Sequence, residues 1–100
     1  MVEKKTIKIL LVEYDLEYLS RIQEMIERNV SFRFQVIHRR QFDEIMPCLD
    51  KGRFDLLVMD VFLPDDYIYE TISDIHAKVP YMPILAIGDA DDHPTFIEIV

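Results

Sequence analysis

The chain has 100 residues, half of them hydrophobic, which is enough for one compact domain with a core and too few for two domains. Its formal net charge of −8 argues against direct nucleic-acid binding, because an acidic surface repels a polyanion. A single cysteine, Cys48, excludes an intramolecular disulfide, and no apolar run is long enough for a signal peptide or a membrane span. We therefore expect a cytoplasmic domain that does not contact a membrane.

The first part of the chain alternates between strand-like and helix-like segments. Ile7 to Val12 is a continuous apolar run, which is typical of a strand covered on both faces. From Leu16 onward the apolar residues recur at helical spacing, and Asp15 is placed to cap this helix. Phe32 to Val36 alternates between apolar and polar residues, which predicts a strand near an edge of the sheet.

The alternation continues to the end of the chain. We expect a helix over Phe42 to Leu49, in which Pro47 is tolerable only in the first turn. The pattern then predicts a strand, a helix and a strand, over Leu56 to Met59, Tyr67 to Lys78 and Pro83 to Ile87. Asp91 to Pro94 predicts the opening of one more helix, with Pro94 near its first position.

This order of segments predicts a three-layer α/β/α sandwich, with a parallel sheet in the strand order 2-1-3-4. In such a fold the ligand site lies beyond the carboxyl ends of the strands. Four residues occupy those ends, namely Glu13, Asp15, Asp60 and Gly88. We therefore expect acids that are far apart in the sequence to lie close together in space.

Three segments carry a resemblance to a known family: KILLVE at Lys8 to Glu13, DLLVMDVFLPD at Asp55 to Asp65, and PILAI at Pro83 to Ile87. Over essentially its whole length the chain resembles a response-regulator receiver domain. The middle motif is the most specific, because it joins a buried strand, an acid and a Leu-Pro pair at fixed spacing. The resemblance implies a flavodoxin-like sheet, of which the fifth strand and its helix are missing here. The strand Pro83 to Ile87 would then be an unpaired edge, so we expect either a fragment of a longer chain or a homodimer that covers this edge.

The resemblance also implies a site. In that family an aspartate at a strand end accepts a phosphoryl group from a histidine kinase, and by position this residue is Asp60. Weakly bound Mg²⁺ is the implied cofactor, held by Glu13, Asp60 and the backbone carbonyl of Phe62, with Asp15 as a further candidate ligand. The implied partner is a histidine kinase or another signalling protein, and no enzymatic turnover is expected.

The sequence departs from the family pattern at three positions. Tyr14 replaces the second of two adjacent acids, Ile68 replaces a glycine before the third helix, and Gly88 replaces a threonine or serine whose hydroxyl contacts the phosphoryl group. The lysine of the family's fifth strand does not occur. These departures predict an atypical receiver domain in which Mg²⁺-dependent phosphorylation of Asp60 is weakened or lost.

Two other functions stay open at this point. The first is a fully phosphorylatable receiver that uses Asp60. The second is a phosphotransferase or phosphatase with an aspartate nucleophile, which is disfavoured because Phe62 stands where such enzymes need a second acid.

Overall fold

The computed structural model describes residues 5–28, 31–60, 68–90 and 93–99. The first half contains β1 (Thr6–Val12), α1 (Leu16–Glu27), β2 (Arg33–Arg39), a 3₁₀ turn (Phe42–Glu44) and α2 (Ile45–Lys51). The second half contains β3 (Leu56–Asp60), α3 (Ile68–Lys78), β4 (Ile84–Ala90) and β5 (His93–Ile99). The predicted segments are thus confirmed up to β4, with small shifts at their ends.

Helix α2 shows how local sequence sets an element's bounds. Pro47 is its third residue, so the missing N–H falls in the first turn, where no intrahelical acceptor is needed. The helix ends at Lys51, and the N–H of its C-cap, Gly52, donates to the carbonyl of Cys48 over 3.1 Å. The prediction that Pro47 lies in the first turn of its helix is therefore confirmed.

Strands β1 to β4 are parallel and follow the predicted order, within a described sheet ordered β2-β1-β3-β4-β5. Strand β2 lies at one edge, as its alternating pattern indicated. The central strands β1 and β3 are the continuous apolar runs, because each is covered by helices on both faces.

The end of the chain differs from the prediction. Residues 93–99 form β5, which pairs antiparallel with β4 from Ile84 opposite Ile99 to Ala90 opposite His93. The helix predicted to open at Asp91 to Pro94 is therefore wrong over 93–99, and so is the unpaired edge on β4. The physical reason is that this segment is rich in β-branched and aromatic residues and lies beside an apolar strand edge whose N–H and C=O groups need partners. The antiparallel strand β5 thus covers the edge of β4.

The sheet separates two apolar cores, because successive strand residues point to opposite faces. One core joins β1 to α1 and includes Ile9, Leu11, Leu19 and Ile22. The other joins β1 and β3 to α2 and α3 and includes Leu10, Leu57, Ile45 and Ile75. The described helices therefore form two layers around the sheet, which is the predicted three-layer arrangement.

Candidate functional site

The carboxyl ends of β1, β2 and β3 meet at one edge of the sheet, which we call the carboxyl edge. Val12 pairs with Met59, so the next residues along these parallel strands, Glu13 and Asp60, lie side by side. Adjacent strands are about 4.8 Å apart, so the backbones of the two residues are neighbours. Gly88 follows the Asp60–Ile87 pair on β4. The fold therefore brings together the acids that the sequence separates by almost half the chain.

Glu13 anchors the carboxyl edge. Its side chain is 1% exposed, and its backbone N–H donates to the carbonyl of Arg39 over 2.9 Å. Its backbone carbonyl accepts a hydrogen bond of 2.9 Å from Nε2 of His38, which must carry the proton because a carbonyl only accepts. Its Oε1 accepts a hydrogen bond of 3.0 Å from the N–H of Asp15. Glu13 is thus held in place by main-chain and side-chain contacts at the end of β1.

Tyr14 occupies the position where the resemblance expects a second acid. Its side chain is 52% exposed, and the guanidinium of Arg40 lies over its ring, 4.8 Å from the ring centroid. Arg40 Nη2 also donates to the backbone carbonyl of Tyr14 over 3.2 Å. The Tyr14–Arg40 pair therefore puts an aromatic ring and a positive charge where a carboxylate was expected.

Asp15 is the N-cap of α1. Its backbone is extended, and its Oδ1 accepts from the N–H of Glu17 at 2.9 Å and from the N–H of Tyr18 at 3.2 Å. These bonds satisfy two of the donors that a helix leaves unpaired at its start. The capping role that the sequence predicts for Asp15 is confirmed, and this carboxylate is turned toward the helix N-terminus.

The carboxyl end of β2 carries three basic residues that were not predicted to belong to the site. His38, Arg39 and Arg40 are consecutive, and all three contact backbone groups at the carboxyl edge. Arg39 Nη1 donates to the carbonyl of His38 over 2.7 Å, and its Nε lies 3.9 Å from Oε2 of Glu44. The run of three basic residues shortly after the predicted strand Phe32 to Val36 was the available signal, since β2 pairs with β1 in parallel and must end at the same edge.

Two of the four expected Mg²⁺ ligands, Glu13 and Asp15, have side chains that the structure describes. Mg²⁺ prefers carboxylate and water oxygens in an octahedral arrangement. Of these ligands, Asp15 is engaged as a cap, while the side chain of Asp60 and the whole of Phe62 lie outside the described part of the chain. No group of three metal-ligating side chains occurs among the residues whose side chains are described. Glu13 is the buried carboxylate in this set, and the neighbouring guanidinium of Arg40 adds a charge that repels a divalent cation.

Solved structures of other proteins have a similar fold. The chemotaxis response regulator CheY4 of Vibrio cholerae superposes with a TM-score of 0.69 at 18% sequence identity, covering 87% of this chain and 72% of that chain. The chain has the fold of a receiver domain. A signal receiver domain of an HD domain-containing protein from Pseudomonas fluorescens Pf-5 gives a TM-score of 0.68 at 20% identity, covering 92% of this chain and 65% of that chain. No protein-family model and no curated protein sequence matches the chain.

The receiver fold explains the position of the carboxyl edge but not the side chains found there. At 18% and 20% identity the likeness establishes the architecture alone, so each side chain is judged by its own contacts. None of the helices in the described ranges is long and apolar enough to cross a bilayer.

Proposed function

We propose that this chain is an atypical receiver module of a cytoplasmic phosphorelay two-component system, in which Mg²⁺-dependent phosphorylation of Asp60 is weakened or lost. It signals by binding a histidine kinase or another signalling protein, without enzymatic turnover. The observation that carries the proposal is the Tyr14–Arg40 pair at the end of β1, where the ring and guanidinium are 4.8 Å apart.

The physical argument concerns charge. An aspartate that attacks a phosphoryl group brings two negatively charged partners together, and catalysis of phosphoryl transfer depends on a cation that offsets this repulsion. A phenol is a poor Mg²⁺ ligand, and the nearest alternative carboxylate, Asp15, already accepts two backbone hydrogen bonds. Replacing one carboxylate by the Tyr14–Arg40 pair therefore lowers the affinity for Mg²⁺ and, with it, the rate of phosphorylation.

A second candidate function is a receiver that is still phosphorylated at Asp60. The strand register supports it, because Val12 pairs with Met59 and the residues that follow them on the two strands are Glu13 and Asp60. The two candidates differ in one measurable property, which is whether the wild-type protein binds Mg²⁺ and gains a phosphoryl group.

The test uses three forms of the chain: wild type, Tyr14→Asp, and Tyr14→Phe as the matched control that keeps the ring. Mg²⁺ binding is followed by the backbone amide NMR signals of Glu13 and Asp15, and phosphorylation by the mass gain after incubation with acetyl phosphate. We expect Tyr14→Asp to bind Mg²⁺ more tightly and to gain a phosphoryl group, because it restores a carboxylate next to Glu13. Tyr14→Phe should behave as wild type, and the gain should vanish in Tyr14→Asp combined with Asp60→Asn.

The proposal fails if wild type binds Mg²⁺ and is phosphorylated at Asp60 as readily as Tyr14→Asp. That result would establish the second candidate, and Tyr14 would then have no influence on the site.

A further inference from the structure

A small pocket lies between strands β1 and β2 and helix α2. It has a volume of about 170 Å³, and apolar side chains, including Ile37 and Phe54, form part of its wall. Lys8, Arg39 and Lys51 complete the lining, together with Gly52 and Cys48. We call it the basic pocket, because its lining carries three positive charges and no negative charge.

This concentration of charge is unexpected for the chain as a whole. The protein has 11 lysine and arginine residues against 19 acids, yet three of those 11 surround one pocket. Neither Lys8 nor Lys51 forms a salt bridge with a described residue, and the Arg39–Glu44 contact is at the long limit of 3.9 Å. Two carboxylates do lie near this lining: Glu44 is 3.9 Å from Arg39, and Asp55 Oδ2 accepts from the backbone N–H of Lys8 over 2.9 Å. The ammonium groups of Lys8 and Lys51 therefore carry the positive charge that no described ion pair offsets.

The geometry holds at least one of these cations in place. The Lys8 ammonium lies over the ring of Phe54, 4.8 Å from its centroid, and Phe54 is almost fully buried. A Cβ atom added at Gly52 would lie 3.3 Å from this ammonium, so the glycine leaves it room. The backbone of Gly52 is extended, with φ −158° and ψ 166°, a conformation that any residue adopts. A side chain at residue 52 would therefore fill the space beside the Lys8 ammonium without straining the backbone.

We propose that the basic pocket binds a small phosphate-bearing ligand. A phosphate group carries close to two negative charges and several acceptor oxygens. These suit the ammonium groups of Lys8 and Lys51 and the planar guanidinium of Arg39, all of which are hydrogen-bond donors. The volume selects a small ligand, because pockets for drug-sized molecules range from about 300 to 1,000 Å³. The ligand is therefore inorganic phosphate or the phosphate group of a small organic molecule.

This inference does not depend on the proposed function, because it uses none of the residues tested there. The protein's overall negative charge repels anions, so we expect binding in the millimolar range that weakens as salt rises.

The test is a titration of the whole chain with inorganic phosphate and, separately, with glycerol phosphate, at constant ionic strength. Backbone amide NMR signals of Cys48, Gly52 and Phe54 report on the pocket, and those of Tyr14 and Asp15 report on the carboxyl edge. We expect saturable shifts confined to the pocket signals. Tighter binding of glycerol phosphate would identify an organic phosphate as the ligand, while equal binding would identify phosphate itself.

Three variants that each remove one positive charge make the test specific. Lys8→Gln and Lys51→Gln should each weaken phosphate binding about tenfold, because each removes a charge-assisted hydrogen bond. Because Lys51 is exposed, Lys51→Gln still tests the pocket if Lys8→Gln disturbs the packing of Phe54. Lys5→Gln is the matched control, since Lys5 is exposed and lies outside the pocket lining, and it should leave binding unchanged.

The proposal is overturned if the pocket signals show no saturable shift with either ligand. It is also overturned if Lys5→Gln weakens binding as much as Lys51→Gln does, because the effect would then be general charge attraction and not a site.

Discussion

The role of Asp15 can be tested by separating its hydrogen bonds from its charge. In the structure its Oδ1 accepts from two backbone N–H groups at the start of α1, at 2.9 and 3.2 Å. Asp15→Ala removes both bonds and the charge. Asp15→Asn keeps a side-chain oxygen at the same position and removes only the charge, and asparagine caps helices as well as aspartate does.

The expected magnitudes follow from the capping geometry. Loss of an N-cap side chain costs about 1 kcal/mol of unfolding free energy, which in a domain of this size lowers the melting temperature by about 4–8 °C. Asp15→Asn loses only the attraction between the carboxylate and the helix dipole, which salt screens. At high salt we therefore expect Asp15→Asn to stay within about 0.3 kcal/mol of wild type.

The assay is urea unfolding followed by far-ultraviolet circular dichroism, since the sequence contains no tryptophan. Each form is measured with and without Mg²⁺, because a ligand that binds only the folded state raises its stability. If Asp15→Asn is as unstable as Asp15→Ala, the hydrogen bonds to Glu17 and Tyr18 are not what stabilises the helix. If Asp15→Asn removes a Mg²⁺-dependent stabilisation that wild type shows, the carboxylate is a metal ligand and the capping argument is refuted.

Two further predictions use the same unfolding assay. A double-mutant cycle with alanine at Tyr14 and Arg40 should give a coupling energy of about 0.5–1 kcal/mol for the cation–π contact, because the hydrogen bond from Arg40 goes to the backbone carbonyl of Tyr14 and is kept in Tyr14→Ala. The Arg53–Tyr81 pair, at 5.2 Å, is the reference, and a coupling energy of zero would show that the cation–π contact does not stabilise the protein. Ile22→Ala should lower the free energy of unfolding by about 2–5 kcal/mol, because Ile22 is fully buried between α1 and the sheet, whereas Ser20→Ala on the exposed side of the same helix should change it by less than about 0.5 kcal/mol. Similar effects of the two variants would contradict the assignment of the buried face of α1.

Local patterns in the sequence determined most of the fold. The apolar run at Ile7 to Val12 predicts a doubly covered strand because both of its faces need burial, and β1 has residues in both cores. The cap at Asp15 was predictable because its hydrogen bonds reach only two and three residues ahead. The meeting of Glu13 and Asp60 was also predictable, since the carboxyl ends of parallel strands always share one edge.

Three features were decided only by the tertiary structure, because each joins residues that are distant in sequence. Residues 93–99 form a strand instead of a helix because this segment, rich in β-branched and aromatic residues, lies beside the edge of β4, which supplies hydrogen-bond partners only in the folded sheet. Arg40 reaches Tyr14 because parallel pairing of β1 with β2 ends both strands at the same edge. The basic pocket likewise exists only where β1 and β2 meet α2. Helix periods and caps are encoded within a few residues, whereas strand partners and converging charges depend on how the whole chain packs.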